Sequence, residues 1–394
     1  MFEVNNLSIN SINLPLPDFL AQRCLRPDKR FDEGGKRLLS QAIRDQWIKE
    51  TERFPKEQSP IINPNWKGGT YPDHEAYVHG KKIDPIYSPA YLVYNLPEIQ
   101  DVNGVQIAAQ DLRSSNITLV TANIPLGRGD RPEPVHDKQG NDTDETEKVL
   151  LRTLFSNLRA SGVSRIIFFD GHSPATAFWA AQNGIAPLDL SILPGLFDEA
   201  TSKKIINPKD DCLTFFSCDD GAKERGFFAR DIAFNRGYWC DETVHIGDKT
   251  KKYGKTVVCF NKEILNKASG KTAMIGEDII STGGTLLEVV TQLEKAGAKK
   301  IVILAPYAIL VPNGKISSLI SDGKISIVTT DARTMQIEFS GEKPSNIITH
   351  PLIPKLERLA QLDKGGVNFY SPQGQDELVK LGMCFNPWQI YCHG

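Results

Sequence analysis

The stretch IGEDIISTGGTL, Ile275 to Leu286, decides how the chain is read. Two carboxylates, Glu277 and Asp278, stand before a run of small and hydroxyl-bearing residues, Ser281, Thr282, Gly283, Gly284 and Thr285. The apolar run TAMI precedes them. A helical stripe of Leu286, Leu287, Val290 and Leu293 follows, so the stretch joins a strand to a helix. Gly283 and Gly284 permit positive φ and close approach of a ligand to the backbone. The helix start offers free N–H groups and the positive end of a dipole, which suits a phosphate. The three hydroxyls add donors. The two acids accept hydrogen bonds, and a vicinal diol is their natural partner. A diol plus a phosphate describes ribose 5-phosphate or a nucleotide sugar; a capped strand-to-helix turn is the plainer reading of the same letters.

Working outward, short apolar runs recur at AYLVYNL, ITLVTANIP, SRIIFFDG, LTFFSCDDG, TVVCFNK, TAMIGEDI, KIVILAPYA and ISIVTTDA. Helical patterns lie between several of them, at Thr146 to Ser161 and Gly284 to Ala296, and an earlier one spans Gly35 to Phe54. Strands that are apolar throughout and alternate with helices predict an α/β fold with mainly parallel sheets covered on both faces. Two such sets fit. The expected organisation is an N-terminal extension over 1–66, one α/β domain over 67–194, a second over 195–345, and a tail over 346–394 that packs back on the N-terminal half. Ligands of open parallel sheets bind beyond the carboxyl ends of the strands. Acids, bases, His and Gly collect there: LGRGDR, DGHS, CDDGAKER, NKE, GEDIISTGGT and TDAR each follow an apolar run.

Bulk properties exclude other classes. The 394 residues are 40% hydrophobic and 24% charged with a formal net charge of −2, so no basic excess favours nucleic acid as a partner. No apolar run approaches the roughly 18 residues that span a bilayer. The seven cysteines form no CxxC pair, which predicts reduced thiols and a cytoplasmic setting.

The motifs together resemble the ribose-phosphate diphosphokinase family, the makers of phosphoribosyl diphosphate, on the type I phosphoribosyltransferase fold. The resemblance runs in order from about Tyr71 to Arg333. It implies two phosphoribosyltransferase-like domains, Mg²⁺ as cofactor, ATP and a 5-phosphorylated ribose as substrates, and a homo-oligomer. YPDHEAYV is similar to the family's adenine stretch, which assigns Tyr71, Asp73 and Glu75 to the base. IPLGRGDR resembles its phosphate segment, with Arg128 and Arg131 on ATP. FFDGHS resembles its Mg–ATP histidine segment, giving His172 with Asp170 behind it. SCDDGAKERG resembles the SPDxGGxKR segment, so Asp219 would hold metal and sugar. FNKE falls where the family keeps a catalytic lysine, here Lys262, on a loop whose Asn266, Lys267, Ser269 and Gly270 suit a lid. The sugar would sit on Glu277, Asp278, Ser281, Thr282, Gly283, Gly284 and Thr285, and the metal on His172, Asp219 and Asp170.

The chain departs from the family pattern in several places. Ile264 stands where a second loop arginine is usual, Gly129 replaces a glutamine, and the third acid of the sugar loop is Ser281. RGYWCDETVHIGDKTKKYG, 236–254, falls outside the pattern, and its aromatic pair Tyr238 and Trp239 is expected to serve packing first. The implied activity moves the diphosphate of ATP to the C1 hydroxyl of ribose 5-phosphate. The same chemistry on ADP-ribose and a non-catalytic regulatory role remain alternatives.

Overall fold

The computed structural model describes residues 32–53, 59–62, 67–70, 76–79, 89–96, 101–125, 134–136, 142–146, 150–218, 220–252, 255–311, 316, 319–320, 323, 325–333, 335–336 and 344–390. Two six-stranded sheets organise them. The first runs Ile61–Ile62, Ala90–Val93, Ile117–Val120, Val163–Phe169, Ala186–Ser191, all parallel, and ends with Cys384–Phe385 antiparallel at the edge. The second is parallel throughout: Trp239–Ile246, Cys212–Ser217, Thr272–Gly276, Lys300–Leu304, Ile325–Thr330, Ile347–His350.

Side chains alternate across each sheet, and both faces are buried. Ile166 and Phe168 face an outer core with Val105, Leu154, Phe155 and Phe178. Ile167 and Phe169 face a core shared with the second sheet, where Phe215, Met274, Val302 and Val328 arrive from the other side. Helices Leu193–Ser202 and Ile353–Lys364 contribute Leu196, Phe197, Leu356 and Leu359 to that same core. The outer face of the second sheet packs Ile275 and Ile303 on Leu286, Val289 and Leu293 of helix Gly284–Lys295. The two sheets are therefore lobes of one body with a continuous interior.

Both flanking segments reach the first lobe, although the expected tail over 346–394 begins with Ile347–His350, a strand of the second sheet. Helix Glu33–Arg53 buries Leu39, Ile43 and Trp47. Arg165, fully buried in its strand, pairs with Asp363 (Nη2–Oδ2 2.9 Å). Its guanidinium stacks over Trp47, 4.1 Å from the ring centre, and Tyr91 donates to Asp363 at 2.6 Å. A buried charge pair is tolerated when further contacts support it, as Tyr91, Thr118 and Trp47 do here.

Two expectations change. The TVVCF run is not part of a main sheet: Lys255–Cys259 pairs antiparallel with Asp248–Lys252 in a separate hairpin. Its lysine-rich partner and exposed Cys259 leave it only one apolar side, which a central parallel strand lacks. Conversely, the stretch 236–254 that fell outside the pattern supplies the edge strand Trp239–Ile246 and the first arm of that hairpin. Tyr238 there is buried edge-on against Phe197 and bonds Thr201, as its packing role requires, whereas Trp239 is 80% exposed.

Candidate functional site

The carboxyl ends of the two sheets meet. Tyr307, buried between them, places its hydroxyl proton between Ala122 O (2.7 Å) and Phe169 O (2.6 Å), at the carboxyl ends of two strands of the first lobe. Its own backbone N–H bonds Asp278 O at 3.2 Å. Asn95 adds a second tie, to Ala332 O at 2.8 Å. These contacts fix the loop after Val163–Phe169 opposite the loop after Thr272–Gly276.

Across that junction His172 Nδ1 lies 2.5 Å from Asp278 Oδ2. Burial pushes the Asp278 carboxyl up, but Arg225 and His172 outweigh it and hold the group down at about 2. Asp278 is thus an anion, and the imidazole Nδ1–H donates to it, leaving Nε2 for a ligand. The two residues were assigned to different substrates from sequence, and the fold makes them neighbours.

The loop of His172 is built from beneath. Asp170 takes a positive φ of 44° and is only 3% exposed. It accepts from Ser191 Oγ at 2.7 Å and Ile192 N at 3.1 Å, and burial pushes its carboxyl up to about 6. Each oxygen thus accepts a hydrogen bond from the strand and loop beneath, and Asp170 sits two residues before His172. Ser173 caps helix Pro174–Gln182, accepting from Ala175 N.

The opposing loop is built differently. Gly283, with φ 68°, opens helix Gly284–Lys295; a Cβ there would meet Ile316 at 2.5 Å. Glycine is therefore demanded twice, by conformation and by space. The 12-residue helix presents its first amides beside the hydroxyls of Ser281, Thr282 and Thr285. Glu277 N–H bonds Leu304 O at 3.0 Å, and its carboxylate lies in the field of Arg225.

Lys262 is exposed at the first turn of helix Lys262–Asn266, capped by Asn261. The strand leading to it is stitched onto helix Gly284–Lys295. Glu288 accepts from Val258 N (2.9 Å), Gln292 donates to Val258 O (2.7 Å) and accepts from Phe260 N (3.2 Å). The lysine thus rides on the helix that begins at Gly284. The expected open lid is anchored at its far end, where Ala268 is buried and Gly270 N–H bonds Gly297 O at 2.8 Å.

Arg225 was not singled out from sequence. It lies in the first turn of helix Lys223–Asn235, donates from Nη2 to Gly171 O (3.2 Å) and His172 O (3.4 Å), and leaves Nε buried without a partner. Burial opposes its charge, but Asp278, Asp170, Glu277 and Glu224 keep it above its ordinary value. The only signal was its place in SCDDGAKERG, a cation among acids. Tyr71, Asp73, Glu75, Arg128, Arg131 and Asp219 lie outside the described residues. Among the described residues no group of three His, Cys, Asp or Glu side chains is arranged to hold a metal, and no helix is long and apolar enough to cross a membrane.

Two parallel-sheet lobes with a glycine–hydroxyl turn opening a helix define the class: an α/β protein of the phosphoribosyltransferase fold. No family model matches the chain. The ribose-phosphate pyrophosphokinase of Sulfurisphaera tokodaii is 25% identical over 280 residues, 69% of this chain and 85% of that protein. That of Pyrococcus furiosus is 27% identical over 267 residues, 66% and 83%. That of Mycoplasmopsis pulmonis is 27% identical over 181 residues, 44% of this chain; the match spans about half of that relative, 49%. The crystal structure of phosphoribosylpyrophosphate synthetase from Mycobacterium smegmatis covers 82% of this chain and 95% of its own, with TM-score 0.56 and 17% identity, a likeness of fold. The chain thus has the phosphoribosyltransferase fold and is similar, at about a quarter identity, to ribose-phosphate pyrophosphokinases.

Proposed function

We propose that the protein transfers the diphosphate of ATP to the C1 hydroxyl of ribose 5-phosphate. The C1 oxygen bonds to the β-phosphorus, the bond from that phosphorus to the α–β bridging oxygen breaks, AMP leaves, and the hydroxyl proton passes to solvent. The observation that carries this reading is the meeting of His172 and Asp278 across the two lobes, 2.5 Å apart, directly before the turn into helix Gly284–Lys295.

In this reading Glu277 and Asp278 accept the sugar diol. The amides of the helix start, with Ser281, Thr282 and Thr285, take the 5-phosphate. His172 presents Nε2 to the triphosphate side, where Tyr71, Asp73 and Glu75 hold the base and Arg128 and Arg131 the phosphates. Lys262 neutralises charge on the transferred group. Magnesium takes oxygen ligands and shares them with substrate phosphates, so it needs few from the protein. His172, Asp219 and Asp170 would hold it, Asp170 while also accepting from Ser191 and Ile192. The ion would draw charge from the phosphoryl oxygens.

The test is incubation with ATP, Mg²⁺ and either ribose 5-phosphate or ADP-ribose, following AMP by mass spectrometry. AMP with ribose 5-phosphate is expected. AMP with ADP-ribose alone moves the assignment to that sugar, and no AMP with either, from folded protein, replaces it with a regulatory role.

A further inference from the structure

Two polar side chains from the C-terminal segment and one backbone amide of the His172 loop converge on a single buried carboxylate. Asp189 is fully buried in the strand Ala186–Ser191, among residues that are otherwise apolar or small. Its Oδ1 accepts from Gly171 N–H at 3.2 Å and from Asn386 Nδ2 at 3.1 Å. Its Oδ2 accepts from Trp388 Nε1 at 3.0 Å, and its backbone carbonyl accepts from Asn386 N–H at 3.2 Å. Asn386 and Trp388 are themselves 2% and 4% exposed. Burying an indole N–H, an amide and a carboxylate together is unfavourable unless each finds a partner. Here each partner is another member of the set, and the one member outside strand and tail is Gly171, the residue before His172.

Gly171 has no freedom beside that carboxylate: a Cβ would stand 3.0 Å from Asp189 Oδ2 and 3.0 Å from Phe168. On its other side Arg225 holds the carbonyls of Gly171 and His172. The peptide carrying His172 is therefore gripped by the tail through Asp189 and by the second lobe through Arg225. Antiparallel pairing of Cys384–Phe385 with Leu190 and Ser191 sets the register that brings Asn386 and Trp388 to Asp189.

We infer that Asp189, Asn386 and Trp388 form a positioning device for His172, so that the C-terminal segment is a working part of the triphosphate side of the site. Asp189 fixes Gly171; the tail fixes Asp189; His172 Nε2 is thereby held at a set place and angle. The ATP half of this inference rests on the function proposed above, and the loop half does not. Positional precision of this kind matters because a small displacement of a ligand group lowers affinity without unfolding anything.

The experiment uses the full-length chain and three variants: Asp189→Asn, Trp388→Phe and, as control, Tyr91→Phe. The control removes a buried hydrogen bond of the same lobe, to Asp363, at a distance from the loop. Amide hydrogen exchange of the Asp170–Ser173 peptide is read first. Asp189→Asn and Trp388→Phe are expected to speed exchange there about tenfold, and Tyr91→Phe to leave it unchanged. Steady-state kinetics follow: KM for ATP rises about tenfold in the two test variants, with KM for ribose 5-phosphate within about twofold of wild type. Exchange at 170–173 equal to wild type in both variants overturns the inference, as does an equal change in Tyr91→Phe. Faster local exchange in a protein that yields no AMP with any sugar keeps the positioning device and removes the proposed reaction. AMP formation with unchanged exchange does the reverse.

Discussion

The loops that face each other across the junction solve one problem by opposite means. The His172 loop is held by side chains: Asp170 and Asp189 beneath it, and Arg225 across from it. The Asp278 loop is held by backbone: Glu277 N–H to Leu304 O, Tyr307 N–H to Asp278 O, Ile309 N–H to Ile280 O, and a glycine fitted against Ile316. The first arrangement fixes one imidazole and encloses charge to do so. The second leaves hydroxyls and helix-start amides facing outward, as an anion requires. A side chain aimed at a ligand needs anchoring through its neighbours, whereas a ligand met by the backbone needs only that the backbone be shaped.

If that contrast is right, substitutions on the two sides fail differently. Lys262→Ala, which touches neither loop, should lower turnover of ATP with ribose 5-phosphate about a thousandfold. Its folding free energy should move by less than about 0.5 kcal/mol, because the side chain is exposed; stopped-time AMP assays and urea titration give the two numbers. Gly283→Ala meets both a left-handed φ and Ile316, and should cost about 3 kcal/mol in urea titration, with loss of ribose 5-phosphate binding by calorimetry. A cost near zero would mean the turn adapts and the backbone half of the contrast is wrong.

Asp278→Asn probes the seam itself. The carboxyl is held at about 2, below its ordinary 3.8, so its contribution is fully present above pH 4 and is lost as pH falls toward 2. Wild type should shed roughly 2 kcal/mol over that window by guanidinium titration at stepped pH, and the variant should lack that part of the slope. Asp189 runs the other way. Burial raises it to about 7, so its contribution is complete below pH 4 and declines as pH rises through 7. Asp189→Asn should flatten that decline, and identical slopes would remove the distinction between a charged seam and an enclosed support. Tyr307→Phe is the mildest change, about 1 kcal/mol, seen as a lower urea midpoint with unchanged m-value.

The elements most legible in the letters were those whose environment is uniform. SRIIFF, TAMI and KIVIL are apolar on both faces because both faces are covered, and each is a central strand. The stretch APLDLS was passed over because Asp189 and Ser191 interrupt it, although both are buried and bonded within the fold. WCDETVHI was unreadable for a different reason. As an edge strand it is half exposed, and its charges lie where solvent reaches them. Of the site, Asp278, Gly283 and His172 announced themselves by standing after apolar runs. Arg225 and Asp189 did not, since their partners are Gly171 and His172 for the one and Gly171, Asn386 and Trp388 for the other. Local spacing carries no trace of such pairings.

The ion pair of Arg165 with Asp363 spans 198 positions, and Cys384–Phe385 closes the edge of the first sheet. Translation therefore delivers a lobe that must wait. Until helix Ile353–Lys364 has been made, Arg165 lacks its Asp363 counter-ion, and until Cys384–Phe385 follows, Ala186–Ser191 presents an open edge. Completion of that lobe therefore waits on a residue made 198 positions after Arg165.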